Sequence, residues 1–500
     1  MRKKAFAAIV LILIFLLPSA SAMVGEEFYC IWLDLEEFDP IIDTGEDFIM
    51  KGAIRSGGAI DRVEAVLYDL RLLKVEKTWS WSADKGKEIS EIGLDRMRAK
   101  LMKGVSAGEK RLTITAEGRG RTFELLDHEL YKCGYTEQIA NISEKCTFSC
   151  SDRQKKILYD NGAKYRWVPE GAEDVLVITL PEGVTGEGFQ VEWFRTPDSA
   201  DIRFYDDDGA LIRGDVYGQD DFMPVIAWFA LPEGTRYFTL SVPGSEMEEL
   251  LVFERGKTPS MVQIWEETPE KWDLMLVSAH QDDELLFFGG AIPWYNALGK
   301  TVGVVYMADC GHKRYEEALR GLWSCGLKNY PVFLNLPDKR LGSLEYAFTF
   351  WGGEDKITEM LAEQIRRYKP DVVLTHDFEG EYGHKQHMVT AYSVANAIEA
   401  AADPARYPDS AEKWGVWQAK KLYIHLWKEE RTDLDWERDV PGFGGLTAME
   451  IARRGYDKHR SQQRGVHFSW GYEYPNWIFG LYSTTVGPDT TGTDLFENIR

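Results

Sequence analysis

After about residue 268 the sequence alternates between apolar runs of strand length and segments of helix length. Strands separated in this way need crossover connections, which give a mainly parallel sheet with helices on both faces. The alternation predicts a three-layer α/β domain of Rossmann-like type over residues 268–500. The strand-like runs are 274–279, 301–307, 332–336, 371–375 and 421–427, and the helical segments are one from about 284, then 314–325, 357–368, 387–401 and 448–463.

The first half has a different pattern, with short strands and frequent turn signals. A chain of 500 residues is too long for one ordinary core. Leu112, Ile114 and Ala116 alternate with threonines, which is the period of a half-buried strand. We expect two N-terminal β-sandwich domains, an immunoglobulin-like one over 23–150 and a jelly-roll or carbohydrate-binding-like one over 151–258.

Residues 1–22 have the composition of a secretory signal peptide. Three basic residues precede an apolar run over 5–17, and "PSASA" at 18–22 fits a signal-peptidase site. The run is shorter than the roughly 20 residues that span a bilayer, so an uncleaved anchor is the weaker alternative. We therefore expect a secreted or cell-surface protein with no stable membrane insertion after signal cleavage.

Charge and cysteine content bear on which partners this protein can bind and on the compartment in which it folds. The formal charge of −23 argues against nucleic acid, because phosphate binding needs clustered lysine and arginine. Six cysteines in an exported chain can form up to three disulfides, and we expect one pair among Cys133, Cys146 and Cys150. No CxxC is present, so the spacing does not resemble a zinc knuckle.

Charged residues follow two of the predicted strands. "AHQDDE" at 279–284 comes directly after the apolar residues 274–277, and "THDFEGEYGHKQH" at 375–387 begins where the strand at 371–375 ends. Ligands of such folds bind beyond the carboxyl ends of the strands. We therefore expect the two clusters to open onto the same edge of the sheet.

The spacing within these clusters suits a metal ion. His280 and Asp283 are three residues apart, as are His384 and His387, so each pair can face one way on a tight turn. Two histidines and a carboxylate with a position left for water form a standard catalytic zinc shell, which Fe²⁺ or Mn²⁺ could also use. Acids at a helix N-terminus and single histidines have plainer structural explanations. Two clusters at equivalent strand ends favour one metal site per chain.

"AHQDDE" together with "GHKQH" resembles the AHPDDE and GHxxH signatures of the PIG-L/LmbE-like zinc-dependent N-acetylglucosamine deacetylases. "KRYEEALRGLWSCGL", "LNLPD" and "YDKHRSQQ" resemble further segments of that family, and the resemblance covers about 268–500. It implies these roles: His280, Asp283 and His387 as metal ligands, Asp282 as general base, His384 as the residue that stabilises or protonates the tetrahedral intermediate, and Arg314 and Tyr382 as substrate contacts.

Amide hydrolysis needs residues of these types. The metal polarises the carbonyl and lowers the pKa of its bound water, which attacks the amide. Asp282 can take the proton of that water, and a protonated His384 can donate to the oxyanion and to the departing amine. The usual prolines are replaced by Gln281 and Lys385, and the usual aspartate by Gln386. The missing carboxylate leaves the protonation of His384 and the pH optimum open.

Other polar and aromatic residues have competing explanations. His376 and Asp377 either contact substrate or cap a strand end, and His312 and Asp338 lie at strand ends on the same expected edge. The segment "FSWGYEYPNW" at 468–477 could wall a sugar pocket or simply pack the C-terminus.

The sequence thus predicts an exported, zinc-dependent N-deacetylase that acts on an N-acetylglucosamine-containing glycan or glycoconjugate. The alternatives are an amidase for another N-acyl group and a glycan-binding surface protein with an inactive deacetylase-like domain. The intact set of ligands and base argues for activity. The glycan, the acyl group, the ligands of the sandwich domains and the oligomeric state stay open.

Overall fold

The computed structural model describes residues 29–38, 41–42, 48, 50–70, 74–84, 87–132, 141–150, 158, 166–171, 173–256, 262–463 and 466–499. The expected signal peptide and Cys133 lie outside these ranges, so export and the disulfide stay predictions. Cys30, Cys146, Cys310 and Cys325 are free thiols. Within the described ranges, no helix is long and apolar enough to cross a membrane.

The first region has two sheets that share one core. The alternating residues Leu112, Ile114 and Ala116 are all buried in it. The sheet orders are β1-β3-β6 and β2-β8-β7-β4-β5, after these elements in chain order: β1 (Ile31–Phe38), β2 (Ile41–Ile42), β3 (Met50–Ser56), β4 (Arg62–Asp69), β5 (Lys74–Ser82), β6 (Glu91–Gly93), α1 (Asp95–Met102), β7 (Gly108–Gly118) and β8 (Arg121–Lys132).

The second region also has two sheets around one core, in which Trp193 is fully buried. Its first strand pairs with its second, so 147–149 lie with this region, just before the expected boundary at 150/151. The sheet orders are β13-β12-β15-β10-β9 and β14-β11-β16, formed by β9 (Thr147–Ser149), β10 (Leu176–Thr179), β11 (Gly186–Arg195), β12 (Ala200–Tyr205), β13 (Leu211–Tyr217), β14 (Ile226–Ala230), β15 (Tyr237–Ser241) and β16 (Glu246–Glu254).

The third region is one seven-stranded sheet between two layers of helices. Its elements are β17 (Leu274–Ser278), α2 (Asp283–Leu286), α3 (Ala291–Ala297), β18 (Val302–Asp309), α4 (His312–Ser324), β19 (Val332–Pro337), α5 (Leu344–Phe350), α6 (Glu354–Tyr368), β20 (Val372–Thr375), α7 (Lys385–Ala402), α8 (Pro408–Trp414), β21 (Lys421–His425), β22 (Arg431–Asp433), α9 (Ala448–Tyr456), α10 (Trp470–Glu473) and β23 (Ile478–Thr484).

The strand order is β19-β18-β17-β20-β21-β23-β22. The first five strands are parallel, and β23 and β22 add an antiparallel edge. Successive residues of β17 point to opposite faces, because Leu274 and Leu276 belong to one buried cluster and Met275 and Val277 to the other. The carboxyl ends of β17 and β20 therefore lie side by side at one edge of the sheet.

Two helices are shorter than the sequence suggests. The helix expected from 284 already ends at Leu286 and a separate helix begins at Ala291; between them Gly289 and Gly290 pack so closely that a Cβ would collide with Asn476, Trp436 or Ala448. The helix expected over 448–463 ends at Tyr456. Tight packing against neighbouring segments, which local periodicity does not report, explains the first break.

An ionic cluster joins the second region to α4. His312 Nε2 donates to Glu248 of β16 over 2.9 Å and lies 3.3 Å from Glu316, one turn further along α4. Arg166 lies 3.3 Å from Glu248, and Arg320 lies 3.7 Å from Glu316. Burial lowers the pKa of His312, but the two carboxylates outweigh it and raise that pKa to about 9. His312 therefore connects the second region to the third. It does not belong to the site expected at the carboxyl ends of the strands.

We expect this cluster to stabilise the fold less as the pH rises. The unfolded pKa of histidine is about 6.5, so a folded pKa of about 9 gives stability that is complete below pH 6.5 and disappears as the pH passes through the folded value. Urea unfolding should show wild type more stable than His312→Gln by about 1–3 kcal/mol at pH 6, with the difference shrinking toward pH 10. A difference that stays constant across this range would contradict an ionic role.

Candidate active site

The turn after β17 carries the first charged cluster in a strained conformation. Asp282 has φ 140°, in the region that favours glycine. Its N–H donates to Glu284 over 2.8 Å, and the other oxygen of Glu284 lies 3.1 Å from His459 Nε2. Ser278 Oγ donates to the carbonyl of His280 over 2.8 Å. These bonds hold the turn so that His280 and Asp283 face each other.

Three donor atoms, one each from His280, Asp283 and His387, converge at this turn, and we call these three residues the triangle. His280 Nδ1 and His387 Nε2 lie 3.0 and 3.2 Å from Asp283 Oδ2, and 3.2 Å from each other. Ligands of a tetrahedral ion with bonds of about 2.0–2.1 Å are about 3.3 Å apart, so the three atoms fit one metal ion. His280 and Asp283 come from the turn after β17 and His387 from the first turn of α7, as the sequence predicts.

The electrostatics of this triangle favour positive charge at its centre. Although burial opposes it, Asp283 raises the pKa of His280 well above its usual value and that of His387 to about 9. The two histidines in turn hold the pKa of Asp283 well below its usual range, again against burial. Such a donor set binds a divalent cation in place of protons.

A buried glutamate that the sequence analysis missed holds three histidines. Glu381 Oε2 accepts from His387 Nδ1 over 2.7 Å and lies 2.9 Å from His376 Nδ1, and its Oε1 lies 2.6 Å from His425 Nδ1. This contact directs His387 Nε2 toward the triangle, the way outer carboxylates orient metal-binding histidines. Glu381 lies between the two motifs that spacing highlights, and nothing in the spacing distinguishes it from Glu379.

His376 is buried and uses both ring nitrogens. Its Nε2 accepts from the backbone N–H of Ala279 over 2.9 Å, while its Nδ1 contacts Glu381. His376 therefore links the ends of β17 and β20, which agrees with a strand-end cap and not with substrate contact. Its Nε2 lies 3.6 Å from Asp283 but is already occupied, so it is a weaker ligand candidate than His280.

Asp282 is not one of the three donor residues, although it lines the same cavity as His280 and Asp283. Arg314 Nη2 donates to Asp282 Oδ1 over 2.6 Å, and its Nε donates to the carbonyl of Gln281 over 3.2 Å. Burial raises the pKa of the Asp282 carboxyl, Arg314 lowers it, and Asp283 raises it further, which brings this pKa to about 6. A buried carboxylate beside the donor atoms, but not among them, is placed to exchange a proton there.

The predicted residues meet at one cavity of about 200 Å³. Tyr382 is 40% exposed at its mouth and has φ 47°. The lining residues are His280, Asp282, Asp283, Leu286, Phe287, Arg314, Asp338, Arg340, Tyr382, His384, Gln462 and Val466. Of the predicted site residues only His387 is absent from this lining, because it is buried behind His280 and Asp283.

His384 immediately precedes α7 and lines the cavity, and its buried Nδ1 has no hydrogen-bond partner among the described residues. Burial, together with the nearby positive histidines His387 and His280, lowers the pKa of His384 to about 3. Such a side chain is neutral at neutral pH. This supports donation of a hydrogen bond over the protonated state considered from the sequence.

The residues that replace the usual family residues have structural contacts. The side-chain amide of Gln386 lies 3.1 Å from His280 Nε2, and Asp338 Oδ1 lies 3.5 Å from the same nitrogen. Gln281 Nε2 donates to the carbonyl of Ala308 over 2.8 Å. Gln386 therefore supports His280, the ligand candidate on the other strand end.

The fold and site define an α/β protein with two histidines and an aspartate that are arranged as candidate metal ligands at the carboxyl edge of a mainly parallel sheet. Residues 275–398 match the family model described as PIG-L: GlcNAc-PI de-N-acetylase, and this segment is a PIG-L domain. The resemblance carried by "AHQDDE" and "GHKQH" is therefore confirmed, as is a multidomain chain with a sheet-rich N-terminal part.

Curated relatives share this segment. A 1D-myo-inositol 2-acetamido-2-deoxy-alpha-D-glucopyranoside deacetylase of Saccharopolyspora erythraea is 39% identical over 28% of this chain and 62% of the relative. A protein of the same description from Rhodococcus jostii is 33% identical over 30% and 60%. The match spans 54 to 60% of the length of the first three curated relatives compared.

Two solved structures are similar over less than half of this chain. N,N'-diacetylchitobiose deacetylase from Pyrococcus horikoshii is 18% identical, covering 45% of this chain and 85% of that one, with a TM-score of 0.30. A conserved protein from Thermus thermophilus is 17% identical, covering 43% and 97%, with a TM-score of 0.31.

We expect Glu381→Gln to weaken metal binding about 10- to 100-fold, because an amide cannot accept from all three histidines or hold their charge. Competition with a chromogenic chelator measures the affinity, and circular dichroism checks the fold. The matched control is Glu379→Gln, which changes an exposed acid two residues away. Equal metal affinity in a folded Glu381→Gln protein would contradict the orienting role.

Proposed function

We propose that this protein is an exported, zinc-dependent deacetylase that hydrolyses the acetamide of an N-acetylglucosamine unit in a glycan or glycoconjugate. The observation that carries the proposal is the His280–Asp283–His387 triangle beside Asp282, which lines the same cavity. The deacetylases among the relatives support the reaction class. The signal-like residues 1–22 support export, which would place cell-wall or host glycans within reach.

His280, Asp283 and His387 would hold the metal, and nitrogen and carboxylate ligands in this number suit zinc. When bound, it would polarise the amide carbonyl and activate water at neutral pH. Gln386 contacts Nε2 of His280, and Glu381 contacts Nδ1 of His387. In each histidine this is the ring nitrogen that does not belong to the triangle, so the contacts fix the orientation of both rings.

The remaining steps fall to residues of the cavity wall. Asp282 accepts the proton of the attacking water on its carboxylate, a carbon–oxygen bond forms at the acetyl carbon, and His384 donates a hydrogen bond to the carbonyl oxygen. Asp282 then passes the proton to the amide nitrogen as the carbon–nitrogen bond breaks, giving acetate and a free amine. Arg314 keeps Asp282 in position through a 2.6 Å bond.

Asp282→Asn should reduce acetate release about 10²- to 10⁴-fold while the protein keeps its metal, because the amide has the shape of the carboxylate but accepts no proton. The assay measures acetate from chitooligosaccharides, peptidoglycan fragments and mucin-type glycans, with metal content determined for each protein. The matched control is Asp309→Asn, which changes an exposed aspartate at the end of β18.

The outcomes separate the alternatives. Release that is unchanged in Asp282→Asn would show that another group is the base. No acetate from any substrate, despite one metal ion per chain, would favour a different acyl group or a glycan-binding protein with a silent site.

A further inference from the structure

A second cavity lies next to the catalytic one and is about twice as large, about 410 Å³ against 200 Å³. Val466 lines both cavities, and the consecutive residues Gln462 and Gln463 line one each. The two spaces are therefore neighbours along one wall. The lining residues of the second are Arg453, Tyr456, Asp457, Gln463, Val466, His467, Phe468, Ser469 and Tyr472.

The second cavity combines an exposed aromatic ring with polar groups. Tyr472 lines the second cavity and is 52% exposed, and its ring lies beside those of Phe468 and Trp477 at centroid distances of 6.3 and 6.0 Å. Arg453 and Asp457 carry opposite charges, so this pair adds no net charge to the cavity. An aromatic face with planar hydrogen-bonding groups and no net charge suits a neutral sugar ring better than an ionic ligand.

The first region braces the wall of this cavity from behind. Arg111 of β7 donates to Gln463 Oε1 over 2.5 Å and lies 3.4 Å from Asp457. Asp127 of β8 lies 3.3 Å from Arg460, and Glu109 of β7 pairs with Arg454. These polar contacts connect the first region to α9 and to residues 457–463, which follow it.

The wall is also fixed from within the third region. Tyr456 Oη donates to the carbonyl of Val466 over 3.0 Å, and Gln463 Nε2 donates to the carbonyls of Tyr456 and Asp457 over 3.2 and 3.1 Å. A cavity held in shape by two regions before any ligand binds loses little entropy on binding.

We propose that this second cavity binds a further saccharide unit of the same glycan whose N-acetylglucosamine occupies the catalytic cavity. The substrate is then an oligosaccharide or polysaccharide, with Tyr472 stacking on the face of the second sugar. This inference rests on the proposed deacetylase function and adds the length of its substrate. It also gives the first region a role, which is to hold the subsite in place.

The test compares N,N′,N″-triacetylchitotriose with N-acetylglucosamine in the full-length, metal-loaded protein. Wild type should have a kcat/KM about tenfold higher for the trisaccharide, and Tyr472→Ala should lose most of that preference, as expected for one aromatic stacking contact. Tyr472→Phe should keep it. The matched control is Tyr346→Ala, which removes a tyrosine that is 50% exposed and lines neither cavity.

A binding measurement separates the subsite from catalysis. In the Asp282→Asn background, calorimetry with the same trisaccharide should give a Kd about tenfold weaker when Tyr472→Ala is added. Equal affinities, or no preference for the trisaccharide in wild type, would overturn the subsite while acetate release leaves the deacetylase proposal intact. No acetate from any glycan would overturn the deacetylase proposal, and the Kd comparison would still decide the subsite.

Discussion

The site depends first on the buried carboxylate of Glu381. A carboxylate without access to water is costly unless hydrogen bonds compensate it, and here three imidazoles do so. These histidines come from the end of β20, the start of α7 and the end of β21, so one charge joins three elements at the edge of the sheet. The same contacts place a proton on Nδ1 of His387 and leave its Nε2 for the metal triangle.

The second constraint is the strained turn at Asp282, which is held from outside itself. Arg314 bonds the carboxylate and the preceding carbonyl, and Glu284 bonds the backbone N–H. Arg314 lies on the first turn of α4, whose beginning is bound to the second region through His312. A contact between regions is therefore two residues from the group that positions the general base candidate.

Much of this arrangement could be predicted from the sequence, because strand ends and residue spacing are local properties. The runs that became β17 and β20, and the meeting of the two charged clusters at one edge, follow from apolar periodicity and the rule for parallel sheets. The choice of His280, Asp283 and His387 within those clusters came from the family resemblance. Glu381 could not be predicted in its role, because its importance arises only when β21 brings His425 beside it.

The other differences between the predicted and the observed elements also arise from contacts that are distant in sequence or from irregular topology. The strand β22 has only three residues and follows β21 with no helix between them, and β23 runs antiparallel to both, so the pattern that revealed the other five gives no signal for this edge of the sheet. Gly289, just after the early end of α2 at Leu286, packs closely against Asn476, which is far away along the chain. Such long-range packing decides where an element stops, whereas periodicity decides only that it exists.

The family match and the proposed second subsite occupy different parts of this chain. The match to the PIG-L family ends at residue 398, and every residue that lines the second cavity comes after residue 452. The wall of that cavity is held by Arg111, which comes from a different region altogether. Changes in the N-terminal region can therefore reshape the second cavity through Arg111, and they also act on the segment of His459, which contacts the Glu284 carboxylate that bonds the backbone of Asp282. A domain can in this way acquire a longer binding site from the sheets that precede it.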